Sequence, residues 1–256
     1  MRGLRLKTVL LIVLASAVSM QAMGSLIGEF SALRPGPSFA DGWRLVTLPV
    51  VEPTQFELVD DGGVPVVRAT AAASAASLFR SVTGDGVTNP LLMWRWRVDR
   101  VVSQGDVYTK QGADFAARIY VMFDYPLDRL SWLDQSKLKL ARWLYGDQVP
   151  AAALCYVWGN QTPLQVRTDN AYTDRVKMFV LKNAASGVGE WVIERRDVVA
   201  DYRAAFGEDP PPISGIAIAA DTDQTGETVR AWFGDISQLD AADEVANMSG
   251  AGSSVR

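Results

Sequence analysis

Alternating apolar and polar positions dominate the chain and predict β-strands. The clearest case is residues 91–98, where Trp94, Trp96 and Val98 alternate with Arg95 and Arg97. Because successive side chains of a strand point to opposite faces, the tryptophans should enter a core and the arginines should face away from it. Further strands are predicted at 115–123, 154–158, 175–181, 213–220 and 228–233, with shorter ones at 44–48, 56–59, 64–69 and 76–80. Many short strands separated by turn residues are typical of a two-sheet sandwich.

Two segments interrupt the strand pattern with apolar residues at helical spacing. Residues 127–145 predict an inserted amphipathic helix that ends at Gly146. Residues 197–206 begin with an acidic residue and end at Gly207, ahead of three prolines, which predicts a short capping helix. The predicted fold is therefore mostly β, a jelly-roll β-sandwich with one inserted amphipathic helix and a short capping helix.

The first residues carry the features of an export signal. A cationic start is followed by a short apolar run at 9–18 and by small residues at Ala22 and Gly24. This pattern predicts a signal peptide at 1–24, cleavage before Ser25, and a periplasmic or secreted protein without stable membrane insertion. An uncleaved membrane anchor is the alternative. Residues 25–248 are predicted to form a single β-sandwich domain, and 249–256 a disordered tail.

The net charge of the chain argues against some classes of binding partner. The net charge is −4, and loss of residues 1–24 would remove three cations and bring it to −7. An acidic balance argues against nucleic acid or an anionic membrane as the main partner.

Cys155 is the single cysteine, so no internal disulfide can form. Its apolar surroundings predict a buried thiol and no nucleophile.

The chain contains no histidine. Nucleophilic catalysis by a Ser-His-Asp or Cys-His arrangement is therefore excluded, as is any metal site with histidine ligands. Glycoside hydrolysis needs only two carboxylates, and a lyase can use tyrosine and arginine, so these two reaction types stay open. Most acidic residues are nevertheless solvated or ion-paired in folded proteins, which favours a protein without catalytic activity.

Cationic and aromatic residues recur at strand positions that alternate with the core positions. If their strands are neighbours, they form one groove for an acidic or polyhydroxylated saccharide, bound through guanidinium groups and stacking. The alternative is a layer of internal ion pairs with Asp114, Asp174 and Glu194. Strand tryptophans, including Trp191 and Trp232, are expected in the core. The candidate ligand-binding residues are Arg95, Arg97, Arg118, Tyr120, Tyr156, Arg175 and Lys177.

A polar loop at 221–226 and a following acid suggest a cation. Asp221, Asp223 and Asp235 offer hard oxygen ligands for a structural calcium ion if the returning strand ends at Asp235. The alternative is that the loop side chains only cap the turn through hydrogen bonds to the backbone. No other cofactor is expected.

Five sequence blocks stand out in order: FADGW (39–43), WRW (94–96), DFAARIY (114–120), NAYTDR (170–175) and DTDQTGETVRAWFGDI (221–236). Together they resemble a bacterial family of unknown function, DUF3047. The chain is more loosely similar to galactose-binding-like jelly rolls among carbohydrate-binding modules. The first resemblance implies no established activity. The open hypotheses are thus an exported saccharide-binding domain, a periplasmic structural or interaction protein, and a polysaccharide-acting hydrolase or lyase.

Overall fold

The computed structural model describes residues 26–36, 39, 42–82, 91–145 and 149–239. The predicted signal peptide at 1–24, its cleavage point before Ser25 and the predicted tail at 249–256 lie outside these residues.

Two sheets pack face to face in the described part of the chain, and their strands are numbered β1–β13 in chain order. Sheet A has the order β11-β6-β13-β4-β3, with β1 also paired to β13, and sheet B has the order β2-β5-β12-β7-β8-β10-β9. Sheet A contains β1 (Leu26–Gly28), β3 (Gln55–Asp60), β4 (Pro65–Ala72), β6 (Leu91–Val98), β11 (Val192–Asp197) and β13 (Thr228–Leu239). Sheet B contains β2 (Trp43–Thr47), β5 (Ala75–Ser81), β7 (Ala117–Phe123), β8 (Ala152–Trp158), β9 (Arg167–Asn170), β10 (Thr173–Lys182) and β12 (Ile213–Asp221).

The pairings are antiparallel except for β8 with β10, and the chain crosses repeatedly from one sheet to the other. The predicted mostly β, jelly-roll sandwich is therefore confirmed.

Large aromatic side chains from both sheets form the centre of the core. Trp94 and Trp96 of β6 are buried and face Tyr156 and Trp158 of β8, with ring centroids 5.3 Å and 5.6 Å apart. Aromatic pairs at this spacing add roughly 0.5–1.5 kcal/mol beyond the burial of their area. The predicted inward face of residues 91–98 is confirmed, and the same alternation sends Arg95 and Arg97 to the opposite face of sheet A.

Two helices accompany the sheets in the described residues. Helix α1 (Trp132–Tyr145) follows a 3₁₀ turn at Leu127–Arg129, so the inserted helix begins five residues later than predicted. Trp132 is 74% exposed at its start. Helix α2 (Val198–Phe206) has the predicted ends: the Asp197 side chain accepts the Ala200 N–H at 2.8 Å, and Gly207 adopts a φ of 75°. Within the described ranges, no helix is both long and apolar enough to cross a membrane.

The face of sheet B that points away from sheet A is also buried over much of its area. Val107 and Phe115, from the long connection between β6 and β7, pack on Cys155, Val157 and neighbouring apolar side chains. Cys155 is fully buried, as predicted, and burial raises the pKa of its thiol to about 12. The same connection carries the chain from sheet A to sheet B, so β6 and β7 are not neighbours.

Candidate functional site

The structure does not bring the predicted cationic residues onto one sheet face. Arg95 and Arg97 lie on β6 in sheet A, whereas Arg118 and Tyr120 lie on β7 in sheet B. The prediction of one shared groove is therefore wrong, because it required strands close in sequence to be neighbours in a sheet.

Arg118 and Tyr120 belong to a buried polar cluster. Arg118 is 4% exposed, and its guanidinium forms an ion pair of 2.5 Å with Asp221 and donates to the Tyr120 hydroxyl at 2.9 Å. It also donates to the Ala113 carbonyl and lies 4.5 Å from the Phe115 ring centroid. Burial favours the neutral arginine, but Asp221 outweighs it and holds the pKa of Arg118 above its usual value. Arg118 is thus an internal ion-pair partner.

Tyr156, Arg175 and Lys177 lie on the side of sheet B that faces the core. Tyr156 is fully buried, and its hydroxyl donates to Asp201 at 2.7 Å. Arg175 donates from Nε to the Ala151 carbonyl at 2.8 Å, and Lys177 pairs with Asp169 at 2.5 Å. These partners engage the Tyr156 hydroxyl, the Arg175 Nε and the Lys177 ammonium group, whereas the Arg175 Nη2 is buried without a hydrogen-bond partner in the described residues.

A row of alternating aromatic and cationic side chains crosses the outer face of sheet A. In the strand register, Trp232 of β13 lies opposite Arg97 of β6 on one side and opposite Arg68 of β4 on the other. Arg68 in turn lies opposite Glu57 of β3. Trp191 directly precedes β11 and extends the row beyond Arg97, since Val192 pairs with Trp96. We call these five residues the Trp–Arg row. It spans five strands, or about 19 Å at ~4.8 Å between strands.

Stacking and ion pairing connect the members of the row. The Arg97 guanidinium lies 5.0 Å from the Trp191 ring centroid and 4.4 Å from that of Trp232. Arg68 pairs with Glu57 at 2.5 Å. Both tryptophans keep part of their surface exposed. Cations stacked on indole rings gain roughly 0.5–1 kcal/mol each at exposed sites, so the rings are held in a defined orientation at the surface.

Asp61, in the turn between β3 and β4, forms hydrogen bonds with two members of the row. Its Oδ1 accepts a hydrogen bond from Arg97 at 2.9 Å, and its Oδ2 accepts one from the Trp191 indole N–H at 2.7 Å. Burial by itself would raise the pKa of Asp61, but the bonds from Trp191 and Arg97 outweigh it and lower that pKa. The ionised carboxylate therefore orients two members of the row.

Arg95 lies beside the row, close enough to Asp61 for its charge to help lower the pKa of that carboxyl group. Its guanidinium stacks 4.6 Å from the Trp191 ring centroid, and it forms no ion pair with any residue of the described ranges. The side chain crosses Gly234, at an irregularity in the pairing of β13 with β6. A Cβ at position 234 would lie 2.5 Å from the Arg95 Cγ and closer still to its Nε. The glycine therefore lets Arg95 lie flat on the sheet.

Sequence reasoning identified only part of this site. Arg95 and Arg97 were predicted as ligand-binding residues, and both lie here. The prediction that Trp191 and Trp232 enter the core is wrong, since both lie on the outer face of sheet A. Arg68, Glu57 and Asp61 were missed, because only the register between distant strands brings them beside Arg97 and no local signal marks them.

Three carboxylates meet near one end of sheet B. Single oxygen atoms of Asp114, Asp221 and Asp223 lie within 4.8 Å of one another, and we call these residues the acidic cluster. Asp221 accepts the Phe115 N–H at 3.0 Å and pairs with Arg118. Burial raises the pKa of Asp221 to about 6, although Arg118 opposes the shift. Burial and the nearby Asp114 also raise the pKa of Asp223.

Asp235 does not join the acidic cluster. It accepts hydrogen bonds from the backbone N–H and the hydroxyl of Ser31, at 2.8 Å and 2.6 Å. The prediction that the returning strand ends at Asp235 is wrong, since β13 continues to Leu239. Seven residues of β13, 228–234, separate Asp235 from Glu227 in the preceding loop, a distance of roughly 25 Å along an extended strand. The third carboxylate beside Asp221 and Asp223 is Asp114 and not Asp235, and the sequence did not suggest Asp114 as a ligand.

A cleft of about 330 Å³ lies on sheet B beside α1. Phe79 and Met122 form its apolar side, with Arg44 stacked 4.8 Å from the Phe79 ring centroid. Arg142 also lines it and donates to the Val149 carbonyl at 3.1 Å. A space of this volume suits a small ligand and not an extended polymer.

Among solved structures, the chain is similar to family 29 carbohydrate-binding modules. An arginine-to-alanine variant shares 12% identity over 87% of this chain and 96% of the module, with a TM-score of 0.36. A lysine-to-alanine variant complexed with cellulohexaose shares 11% identity over 88% and 97%, also with a TM-score of 0.36. The K2 cleaved adhesin domain of Lys-gingipain shares 12% identity over 81% and 95%, with a TM-score of 0.37. Scores this low do not establish a common fold, so the sheet topology above stands on the coordinates of this chain.

No curated protein sequence matches the chain significantly. A family model does match, over residues 41–237, and covers every strand except β1 and the last two residues of β13, together with the Trp–Arg row and the acidic cluster. The chain therefore belongs to the family described as protein of unknown function, DUF3047.

Proposed function

We propose that the protein is a non-catalytic binding module that holds a hydroxyl-rich saccharide, with a preference for acidic sugars, along the Trp–Arg row. The observation that supports this proposal is the register that aligns Trp191, Arg97, Trp232 and Arg68 across the outer face of sheet A. Partly exposed indole rings contact the apolar faces of sugar rings, and guanidinium groups donate to hydroxyls and carboxylates.

The shape of the row favours an extended ligand. Its length of about 19 Å follows from five neighbouring strands, and a sheet face offers continuous contact to a polymer chain. The cleft beside Arg44, by contrast, would accept only one or two sugar units.

The charge of the surface favours an anionic ligand. Arg68 and Arg97 are matched by Glu57 and Asp61, but Arg95 has no ion-pair partner among the described residues. Its guanidinium is held by Trp191 and needs little further ordering to bind a carboxylate. We therefore assign Arg95 the direct contact with an acidic sugar.

The experiment compares Arg95→Ala with Arg44→Ala, a matched control that removes an arginine from the cleft on the other sheet. Calorimetry measures binding of polygalacturonate and of a neutral glucan. Loss of a charged hydrogen bond of roughly 1.5–3 kcal/mol should weaken polygalacturonate binding about tenfold or more in Arg95→Ala, with little change in melting temperature. Arg44→Ala should bind as the parent does.

Two results would overturn the proposal. If the parent binds neither polymer, the module does not recognise these saccharides. If Arg44→Ala loses as much affinity as Arg95→Ala, the ligand does not lie along the row. Equal affinity for both polymers would remove the preference for acidic sugars.

We also propose that the protein is exported to the periplasm or beyond. The support is the cationic start, the short apolar run and the small residues before Ser25. Mass spectrometry of the protein from the periplasmic fraction should find Ser25 at the N-terminus. An intact Met1, or recovery of the protein with membranes, would contradict export with cleavage.

A further inference from the structure

The acidic cluster joins two connections that are distant in sequence. Asp114 lies just before β7, Asp221 is the last residue of β12, and Asp223 follows in the connection to β13. No two of the three oxygen atoms lie more than 4.8 Å apart. A cation with metal–oxygen bonds of roughly 2.4 Å can reach all three after the side chains shift by a few tenths of an ångström.

Two oxygen atoms at the cluster are buried without a hydrogen-bond partner. Asp114 is fully buried; its Oδ2 accepts the N–H groups of Gln224 and Thr225 at 3.0 Å and 2.7 Å, whereas its Oδ1 has no partner in the described residues. The Thr225 hydroxyl oxygen is likewise buried without one. A buried carboxylate oxygen left unpaired is costly, and native structures satisfy nearly all such atoms. A cation bound at the cluster would supply the partner that these two oxygen atoms lack.

The charges at the cluster do not balance. Arg118 pairs with Asp221, but neither Asp114 nor Asp223 has an ion-pair partner in the described ranges. When ionised, three carboxylates beside one guanidinium carry an excess of two negative charges. Like charges this close repel strongly at low local dielectric, and a single divalent cation would neutralise the excess.

We propose that Asp114, Asp221 and Asp223 bind one calcium ion, with the Thr225 hydroxyl as a further oxygen ligand and water completing the coordination. All four side chains offer hard oxygen donors, which calcium prefers, and the chain has no histidine to favour zinc. Magnesium is a poorer fit, because it retains most of its own water in protein sites. This site lies apart from the Trp–Arg row, and its existence does not depend on saccharide binding.

Bound calcium would tie the start of β7 to the connection that leads into β13. The ion binds the folded chain, since the ligands come from positions more than a hundred residues apart and do not meet in the unfolded chain. Binding should therefore raise the melting temperature by mass action.

The test uses the whole mature protein, stripped with EGTA, and measures melting temperature and calorimetric binding with CaCl₂ or MgCl₂. At calcium concentrations about a hundredfold above Kd, the melting temperature should rise by roughly 5–10 °C. Asp223→Asn should lose most of this rise. Asp235→Asn, which changes an acid near the other end of β13, is the matched control and should keep it.

Terbium luminescence is the second measurement. The Tyr120 ring lies close to the cluster, because its hydroxyl accepts a hydrogen bond from Arg118, which pairs with Asp221. It should sensitise bound terbium in the parent and in Asp235→Asn but not in Asp223→Asn. Asp114→Asn should also lose the signal, and if that variant fails to fold, Asp223→Asn decides the question.

Three outcomes would overturn the proposal. The first is a parent protein with no calcium-dependent shift and no terbium signal. The second is loss of the calcium response in Asp235→Asn. The third is an equal response of the parent to magnesium, which would mean a general effect of divalent cations on an acidic surface.

Discussion

At the residue scale, Gly234 decides where the Arg95 guanidinium lies. A larger residue would occupy the space that the Arg95 side chain crosses, since a Cβ there would meet its Cγ at 2.5 Å. Because the three atoms nearest to such a Cβ all belong to the Arg95 side chain and include its Cγ, that side chain must change its rotamer to make room. Its orientation over Trp191 therefore depends on the glycine.

Gly234→Ala should consequently weaken polygalacturonate binding about as much as Arg95→Ala, with only a small change in melting temperature. The double variant, measured by calorimetry, should lose no more affinity than either single variant, because both changes remove the same contact. Additive losses would mean that Gly234 acts on binding by another route.

Burial distinguishes Arg118 from Arg95, although both alternate with core residues along their strands. Arg118 has the same alternating pattern as Arg95, yet it is buried against Asp221, while Arg95 is stacked at the surface. Alternation tells which side of a strand a residue occupies, but not whether another segment covers that side. Here the connection that carries Val107 and Phe115 covers sheet B, and no local property of β7 indicates it.

At the element scale, the turn between β3 and β4 contacts β6 and the start of β11, neither of which is a neighbour of β3 or β4 in the sheet. Asp61 accepts hydrogen bonds from Arg97 of β6 and from Trp191 at the start of β11. Its pKa is lowered in the folded state, so its ionised form stabilises the fold. This stabilisation is present above the ordinary pKa of a carboxyl group and is lost as pH falls through the lowered value.

Asp61→Asn should therefore lower the melting temperature at neutral pH, and the difference from the parent should shrink below about pH 4. Since the carboxylate is partly exposed, the loss should be modest. Thermal melts between pH 7 and pH 3 measure both effects. Asp209→Asn removes an exposed ion pair with Arg203 and should change little. A difference that stays constant with pH would show that the Asp61 charge contributes nothing.

Elements with strong local signals were the ones that sequence predicted well. The strand at 91–98 matches β6 at both ends, and α2 has both predicted caps. Strands β1, β9 and β11 were not predicted. They are short or polar edge strands, and long-range pairing stabilises them more than their own residues do.

At the scale of the whole molecule, the two sheets differ in what they present. Sheet A exposes the Trp–Arg row on its outer face, whereas much of the outer face of sheet B is covered by connecting segments. A net acidic chain thus places the arginines of this row on the outer face of sheet A. Such separation of charge favours a defined orientation of an anionic ligand.

The sequence by itself determined the mostly β class, the inward face of β6 and the ends of α2, because these follow from side-chain periodicity and local hydrogen bonding. Only the tertiary structure decided the order of strands in each sheet. That order separated Arg95 from Arg118, aligned Trp232 with Arg97 and Arg68, and brought Asp114 to Asp221 and Asp223. The physical reason is that a period of two assigns each residue to a face of its strand, while the neighbours of the strand are chosen by contacts between distant parts of the chain.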